Sequence, residues 1–264
     1  MIKKTVLTII VFTVFLACKN DDKKTETPVL VEIEHETIET TKADSILAET
    51  IAAHGGKLYN SANYSFIFRG NTYHFKNDET NYNYIKVSKK GDLVIKDVLK
   101  NDDFIREING NVIQLSTKET ASGKAVINSV IYFATLPHKL NDKAINSKYI
   151  EKIVIKNKTY SVVEITFNKE GGGEDHEDEF YYWINNKTKK IDYLAYNYKV
   201  NKGGVRFRSA FNKRTIDGIT FQDYINYKAE IGTLLKDLPK LYEANKLKEL
   251  SKIKTENIIN LNKN

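Results

Sequence analysis

Short strands separated by two- or three-residue turns fill most of the chain beyond residue 60, and that pattern leaves few folds open. Tyr64, Phe66 and Phe68 alternate with Ser65, Ile67 and Arg69, and Tyr73 and Phe75 repeat the alternation. Further apolar or period-two runs occupy 82–88, 92–99, 103–108 and 111–116, then 151–156, 160–168, 179–185, 190–200, 204–213 and 219–229. A last strand is expected over 250–260. Asn109-Gly110, Asn157-Lys158, Asn185-Asn186-Lys187 and Asp217-Gly218 connect neighbours in the manner of hairpins, which are antiparallel by construction. A sheet of roughly ten or more strands accumulates twist and curls. The expected class is therefore mainly β (α+β), with one large curved antiparallel sheet forming a half-barrel.

Two or three helices interrupt the strands and are expected to cover the face of that sheet. Ile46, Leu47, Thr50, Ile51 and His54 share one face of a helix starting at Asp44 or Ser45, with Gly55 as its left-handed stop. Gly123 to Ala134 predicts a second, with Val126, Val130 and Phe133 in one stripe and Pro137 beyond its end. Pro239 suits the first turn of a third, which carries Leu241, Tyr242 and Leu247. His54 reads as a C-terminal cap favoured by the helix dipole.

The N-terminus reads as an address. Lys3 and Lys4 precede thirteen uncharged residues, Thr5 to Ala17, which rise only ~20 Å as a helix and fall short of a bilayer core. This is the layout of a secretory signal. Phe15-Leu16-Ala17-Cys18 resembles a bacterial lipoprotein lipobox, with Phe15 where that motif more often has Leu. The resemblance implies cleavage before Cys18, lipidation of its thiol and amino group, and stable anchoring of the mature chain to a membrane. Residues 1–17 are thus read as a signal peptide, 18–43 as a lipidated Cys and flexible acidic tether, and 44–264 as one domain. Val29, Val31 and Ile33 allow a short edge strand within the tether. Cys18 is the sole cysteine, which excludes an internal disulfide and any Cys-rich metal site.

Several strands are aromatic on both faces. Phe180 and Tyr182 lie opposite Tyr181 and Trp183, and Tyr193 opposite Leu194, Tyr196 and Tyr198. A sheet with one wet face alternates more cleanly. Either helices cover the second face, making ordinary core, or an aromatic concavity accepts an apolar or amphipathic ligand. The helix ending Ala53-His54-Gly55-Gly56, the block Tyr132-Phe133-Ala134-Thr135-Leu136-Pro137-His138 and the stretch Gly203-Gly204-Val205-Arg206-Phe207-Arg208 resemble an uncharacterised family of Gram-negative lipoproteins. That family is similar in architecture to LolA/LolB-type lipoprotein-sorting proteins, and the resemblance implies a half-barrel that holds acyl chains under a helical lid.

No Gly-x-Ser-x-Gly elbow, Walker loop, His-Glu-x-x-His or dinucleotide fingerprint occurs, so no catalytic residue is assigned and no cofactor is expected. Glu174, His176 and Asp178 stand in an acidic run able in principle to hold a hard cation, although consecutive ligands are geometrically awkward. Arg206, Arg208, Asn212 and Arg214 share one parity along a strand, suited to an anionic headgroup or to pairing with Asp178 and Glu179. The net charge of +7 is spread through Lys-rich turns without a nucleic-acid motif, so no nucleic-acid partner is expected. The sequence thus predicts a lipid-anchored outer-membrane protein, facing the periplasm or the cell surface, that binds a lipid or acylated ligand through Tyr182, Tyr196, Tyr198, Arg206 and Arg208. An envelope hydrolase or metal-binding protein using the Glu174–Glu179 run is one alternative. A structural partner in an envelope complex is another.

Overall fold

The structure, a computed structural model, describes residues 41–168, 178–199 and 202–263. The predicted signal segment, Cys18, most of the tether with its Val29–Ile33 strand, and Glu174 and His176 lie outside the described residues. Thr40–Asn264 forms a compact unit.

Within it the described residues form fourteen strands, and every pairing is antiparallel. The chain opens with helix α1 (Lys42–His54), followed by strands β1 (Asn63–Phe68), β2 (Asn71–Asp78), β3 (Asn81–Lys90), β4 (Leu93–Lys100), β5 (Asp103–Ile108) and β6 (Asn111–Ile113). Helix α2 (Thr117–Ala134) then leads to β7 (Ile145–Ile155), β8 (Lys158–Phe167), β9 (Glu179–Asn185), β10 (Ile191–Tyr198), β11 (Gly204–Ile216) and β12 (Ile219–Ala229). Helix α3 (Leu238–Glu243), β13 (Lys248–Ile253) and β14 (Glu256–Asn260) complete the chain. The mainly β class with a few helices is as expected, but the strands hydrogen-bond as two seven-stranded sheets. The first runs β14-β1-β2-β3-β4-β5-β6 and the second β13-β12-β11-β10-β9-β8-β7; neither closes into a barrel.

The division has a local cause. The strand expected over 250–260 is two strands, and each sits on the edge of a different sheet: β13 pairs with β12, and β14 with β1. Lys254 and Thr255 make the bend between them. Thr255 is gripped there by Asp223, which accepts its amide at 3.0 Å and its hydroxyl at 3.3 Å, and by Arg214, whose guanidinium reaches the Thr255 carbonyl and hydroxyl. A bulge in β11 between Phe211 and Arg214, with Asn212 at φ 47°, turns the far ends of β11 and β12 toward β1. Tyr64 Oη of β1 donates to the Ile216 carbonyl at 3.2 Å, and its ring meets Phe221.

Helix α2 starts earlier than the hydrophobic stripe suggests. Ser116 and Glu119 form a reciprocal capping box, so Ser116, expected to end β6, is instead the N-cap of the helix, and β6 stops at Ile113. Its buried stripe is Gly123, Ile127 and Ile131, whereas Val126, expected to point inward, is exposed. Gly123 presses on Phe104 of β5, and Ile127 and Ile131 join the first sheet's core of Tyr59, Tyr64, Phe66, Phe75, Leu99 and Phe221. The last turn of α2 reaches the second sheet, where Tyr132 and Phe133 pack with Phe180 and Tyr196.

The second sheet is covered on both faces, which explains its two-sided aromatic strands. One face packs Phe180, Tyr182, Ile184 and Leu194 against Ala43 and Leu47 of α1 and Leu136 and Leu140 after α2. The other packs Tyr181, Trp183, Tyr193 and Phe207 against Leu235, Leu238 and Tyr242 around α3. For that second group the core reading holds.

Candidate functional site

The β9–β10–β11 register brings the five predicted ligand residues onto one face. Tyr182 lies opposite Leu194, which lies opposite Arg208; Tyr196 lies opposite Arg206; Tyr198 lies opposite Gly204. They do not line an open trough. Tyr182 is fully buried and Arg208 is 7 % exposed, while Tyr196, Tyr198 and Arg206 are half-buried.

Arg208 stands at the centre of this face. Its Nη2 donates to Tyr196 Oη at 2.8 Å, and its guanidinium lies 3.8 Å from the centroid of the Phe133 ring and 5.2 Å from that of Tyr196. Cation–π contact of this kind stabilises a desolvated guanidinium by ~2 kcal/mol. Nε and Nη1 are buried with no hydrogen-bond partner. Tyr182 Oη and Tyr132 Oη are 2.6 Å apart, tying β9 to α2. Burial pushes the Tyr182 phenol well above its ordinary value and that of Tyr224 up to about 12, so both remain neutral at physiological pH. Arg206, nearer the sheet's end, bonds Tyr198 Oη and donates to the Val205 carbonyl at 3.1 Å.

The predicted row of four does not persist. The β11 bulge ends the shared parity, so Asn212 donates to Asp223 Oδ2 at 2.7 Å and Arg214 pairs with Asp223 Oδ1 at 3.1 Å, away from Arg206 and Arg208. Among the described residues neither Arg206 nor Arg208 makes an ion pair with Asp178 or Glu179. Strand alternation does not point to the aromatic partners Phe133 and Tyr132, although the Tyr-Phe doublet at the end of an amphipathic helix is a legible signal for them.

His54 is not a charged cap. It is fully buried, and its Nε2 accepts the Ile191 amide at 3.3 Å. Burial, with Lys190 and Lys213 adding to it and Asp192 opposing, pushes its pKa down to about 3 and keeps the ring neutral. His138 stacks on Tyr59 with ring centroids 4.8 Å apart, and burial lowers it to about 4. On the sheet's other face, Asp192 accepts from Tyr160, Asn185 and Lys213. Burial raises that carboxyl, but the three donors together hold it below the usual range, so it is a saturated structural anion. Among the described residues no group of three or more His, Cys, Asp or Glu side chains is placed to hold a metal. No helix among them is long and apolar enough to cross a membrane.

An open pair of antiparallel sheets, with one helix laid from the first sheet to the second over an aromatic face, defines the architecture. The chain belongs to the family of unknown function DUF6503, whose profile matches residues 39–255. No curated protein matches it. Among solved structures it is similar to a LolA superfamily protein from Nitrosomonas europaea, at 12 % identity and TM-score 0.49, over 83 % of this chain and 93 % of that one. It is also similar to a putative outer membrane lipoprotein-sorting protein domain from Vibrio parahaemolyticus (10 % identity, TM-score 0.34, 75 % and 97 % covered). A third is the lipoprotein LppX of Mycobacterium tuberculosis (10 % identity, TM-score 0.28, 60 % and 90 % covered).

Proposed function

We propose that this protein is a membrane-tethered, non-enzymatic binding protein or carrier, which holds a hydrophobic or amphipathic ligand between the end of α2 and the β9–β10–β11 face. The tether is a lipid on Cys18, and the membrane is the outer membrane of a Gram-negative envelope. The observation that carries the reading is the aromatic patch under α2, in which Phe133, Phe180, Tyr182 and Tyr196 pack together and Phe133 and Tyr196 face a buried cation. Helix α2 is held to this patch by side-chain contacts, whereas the strands beneath it are joined by main-chain hydrogen bonds. Apolar contacts are non-directional, so a ligand's hydrocarbon can replace the ring contacts of Tyr132 and Phe133, and its binding must also offset the Tyr132–Tyr182 hydroxyl bond and the Phe133–Arg208 cation–π contact given up. The patch is thus a site that opens by exchange of one apolar cover for another.

Residues 19–264, exported to the periplasm behind a cleavable signal peptide and purified without detergent, test the reading by native mass spectrometry with lipid extraction. A co-purifying lipid or acylated peptide at defined stoichiometry is expected. An empty protein that also fails to bind fluorescent fatty acids would overturn it.

A further inference from the structure

Arg208 is a buried cation without a counter-ion. Its cross-strand neighbours are Leu194 and Asn226, and the next residues on its face are Arg206 and Ala210, none of which is acidic. Among the described residues it makes no ion pair. Asp192 is already committed to Tyr160, Asn185 and Lys213. Of the guanidinium's five N–H donors, one bond goes to Tyr196, and the three on Nε and Nη1 are closed off from solvent with no acceptor. A charged group left this way is strongly unfavourable, and the faces of Phe133 and Tyr196 compensate only part of its charge. Sites that reject uncharged analogues are built like this, with donors that only the right ligand satisfies.

We infer that Arg208 is the headgroup subsite of the proposed carrier, and that the ligand is an amphipath with a single oxyanion, carboxylate or phosphate, on an apolar tail. This rests on the carrier reading and narrows it. One unpaired guanidinium matches one oxyanion, and the rings of Phe180, Tyr182 and Tyr196 on the strands match the hydrocarbon next to it. The Tyr196 hydroxyl already accepts from the guanidinium, and its own proton can go to the same headgroup. Phe133 covers the guanidinium, so the headgroup reaches it only when the last turn of α2 yields.

Titration of residues 19–264 with dodecanoate, dodecyl phosphate and dodecanol at neutral pH tests the inference. At least one of the two anions is expected to bind about tenfold or more tighter than dodecanol. Arg208→Met is expected to remove that preference, so that the two anions and dodecanol bind this variant equally. Arg208→Lys, which keeps the charge but not the planar fork, is expected to fall between them. Equal affinity of the wild type for all three, or a preference that survives in Arg208→Met, overturns the inference and leaves the carrier reading standing. Failure of all three to bind overturns the carrier reading itself. If Arg208→Met does not fold, the wild-type preference and the lysine variant decide. Which anion is preferred assigns the headgroup.

Discussion

Asp223 Oδ1 accepts the backbone amide of Thr255 at 3.0 Å, and this bond fixes the bend at which the chain leaves one sheet for the other. Asp223 is 2 % exposed, and Asn212 and Arg214 also bind its carboxylate. Removing one partner of a buried pair leaves the rest uncompensated, at a cost of ~3–5 kcal/mol. Asp223→Ala is expected to lower stability by about that amount in urea unfolding. It is also expected to speed amide exchange in β13 and β14 more than in β9 and β10.

Acid is expected to destabilise the fold through its histidines before its carboxylates matter. His54 and His138 have folded pKa values of about 3 and about 4, below the unfolded value near 6.5. The unfolded chain therefore binds more protons, and stability is full above pH 6.5. It falls as pH drops through the window toward 4 and then 3. Two such groups give a slope of up to roughly 3 kcal/mol per pH unit between pH 6 and 4. Denaturation midpoints followed through Trp183, the sole tryptophan, measure it; His138→Gln is expected to halve the slope near pH 5.

A β-carbon at Gly123 would lie 2.2 Å from Cζ of Phe104. Alanine gains ~1 kcal/mol in helix propensity, but overpacking costs ~1–3 kcal/mol unless the Phe104 ring swings aside. Gly123→Ala is therefore expected to be neutral to mildly destabilising and Gly123→Val clearly destabilising. Adding Phe104→Leu to Gly123→Val is expected to recover part of the loss, a coupling that a double-mutant cycle reads directly.

Ser116→Ala removes one half of the α2 capping box and is expected to cost ~1 kcal/mol. Because the cap lies at the end of α2 remote from Arg208, ligand affinity is expected to stay within a few fold, while hydrogen exchange in the first turn of α2 accelerates. A large loss of affinity would mean that the whole helix, rather than its last turn, forms the cover.

Most strands were legible in the residues, because period two and Asn-Gly or Asp-Gly turns are local signals that dictate antiparallel neighbours, although the first half of β7 was not expected. Alternation also pairs Tyr196 with Tyr198 and Arg206 with Arg208 on their own strands, but only the β9–β10–β11 register puts them on one face with Tyr182. The Ser116-x-x-Glu119 pattern of the capping box is also local, although the apolar stripe of α2 begins only further along the helix. Alternation cannot show where it will be broken, and parity beyond Phe211 failed because a bulge inserts residues that only the register with β12 reveals. Only the tertiary structure decided that 250–260 divides at Thr255 between two sheets, since the cause is a carboxylate more than thirty residues earlier in the chain. It likewise decided that His54 is neutral: a helix end favours the charged ring, but full burial beside Lys190 and Lys213 outweighs a dipole worth ~1 kcal/mol. What a side chain does at this site depends on the partners the fold leaves it, and for Arg208 the fold leaves two ring faces, one hydroxyl and three free donors.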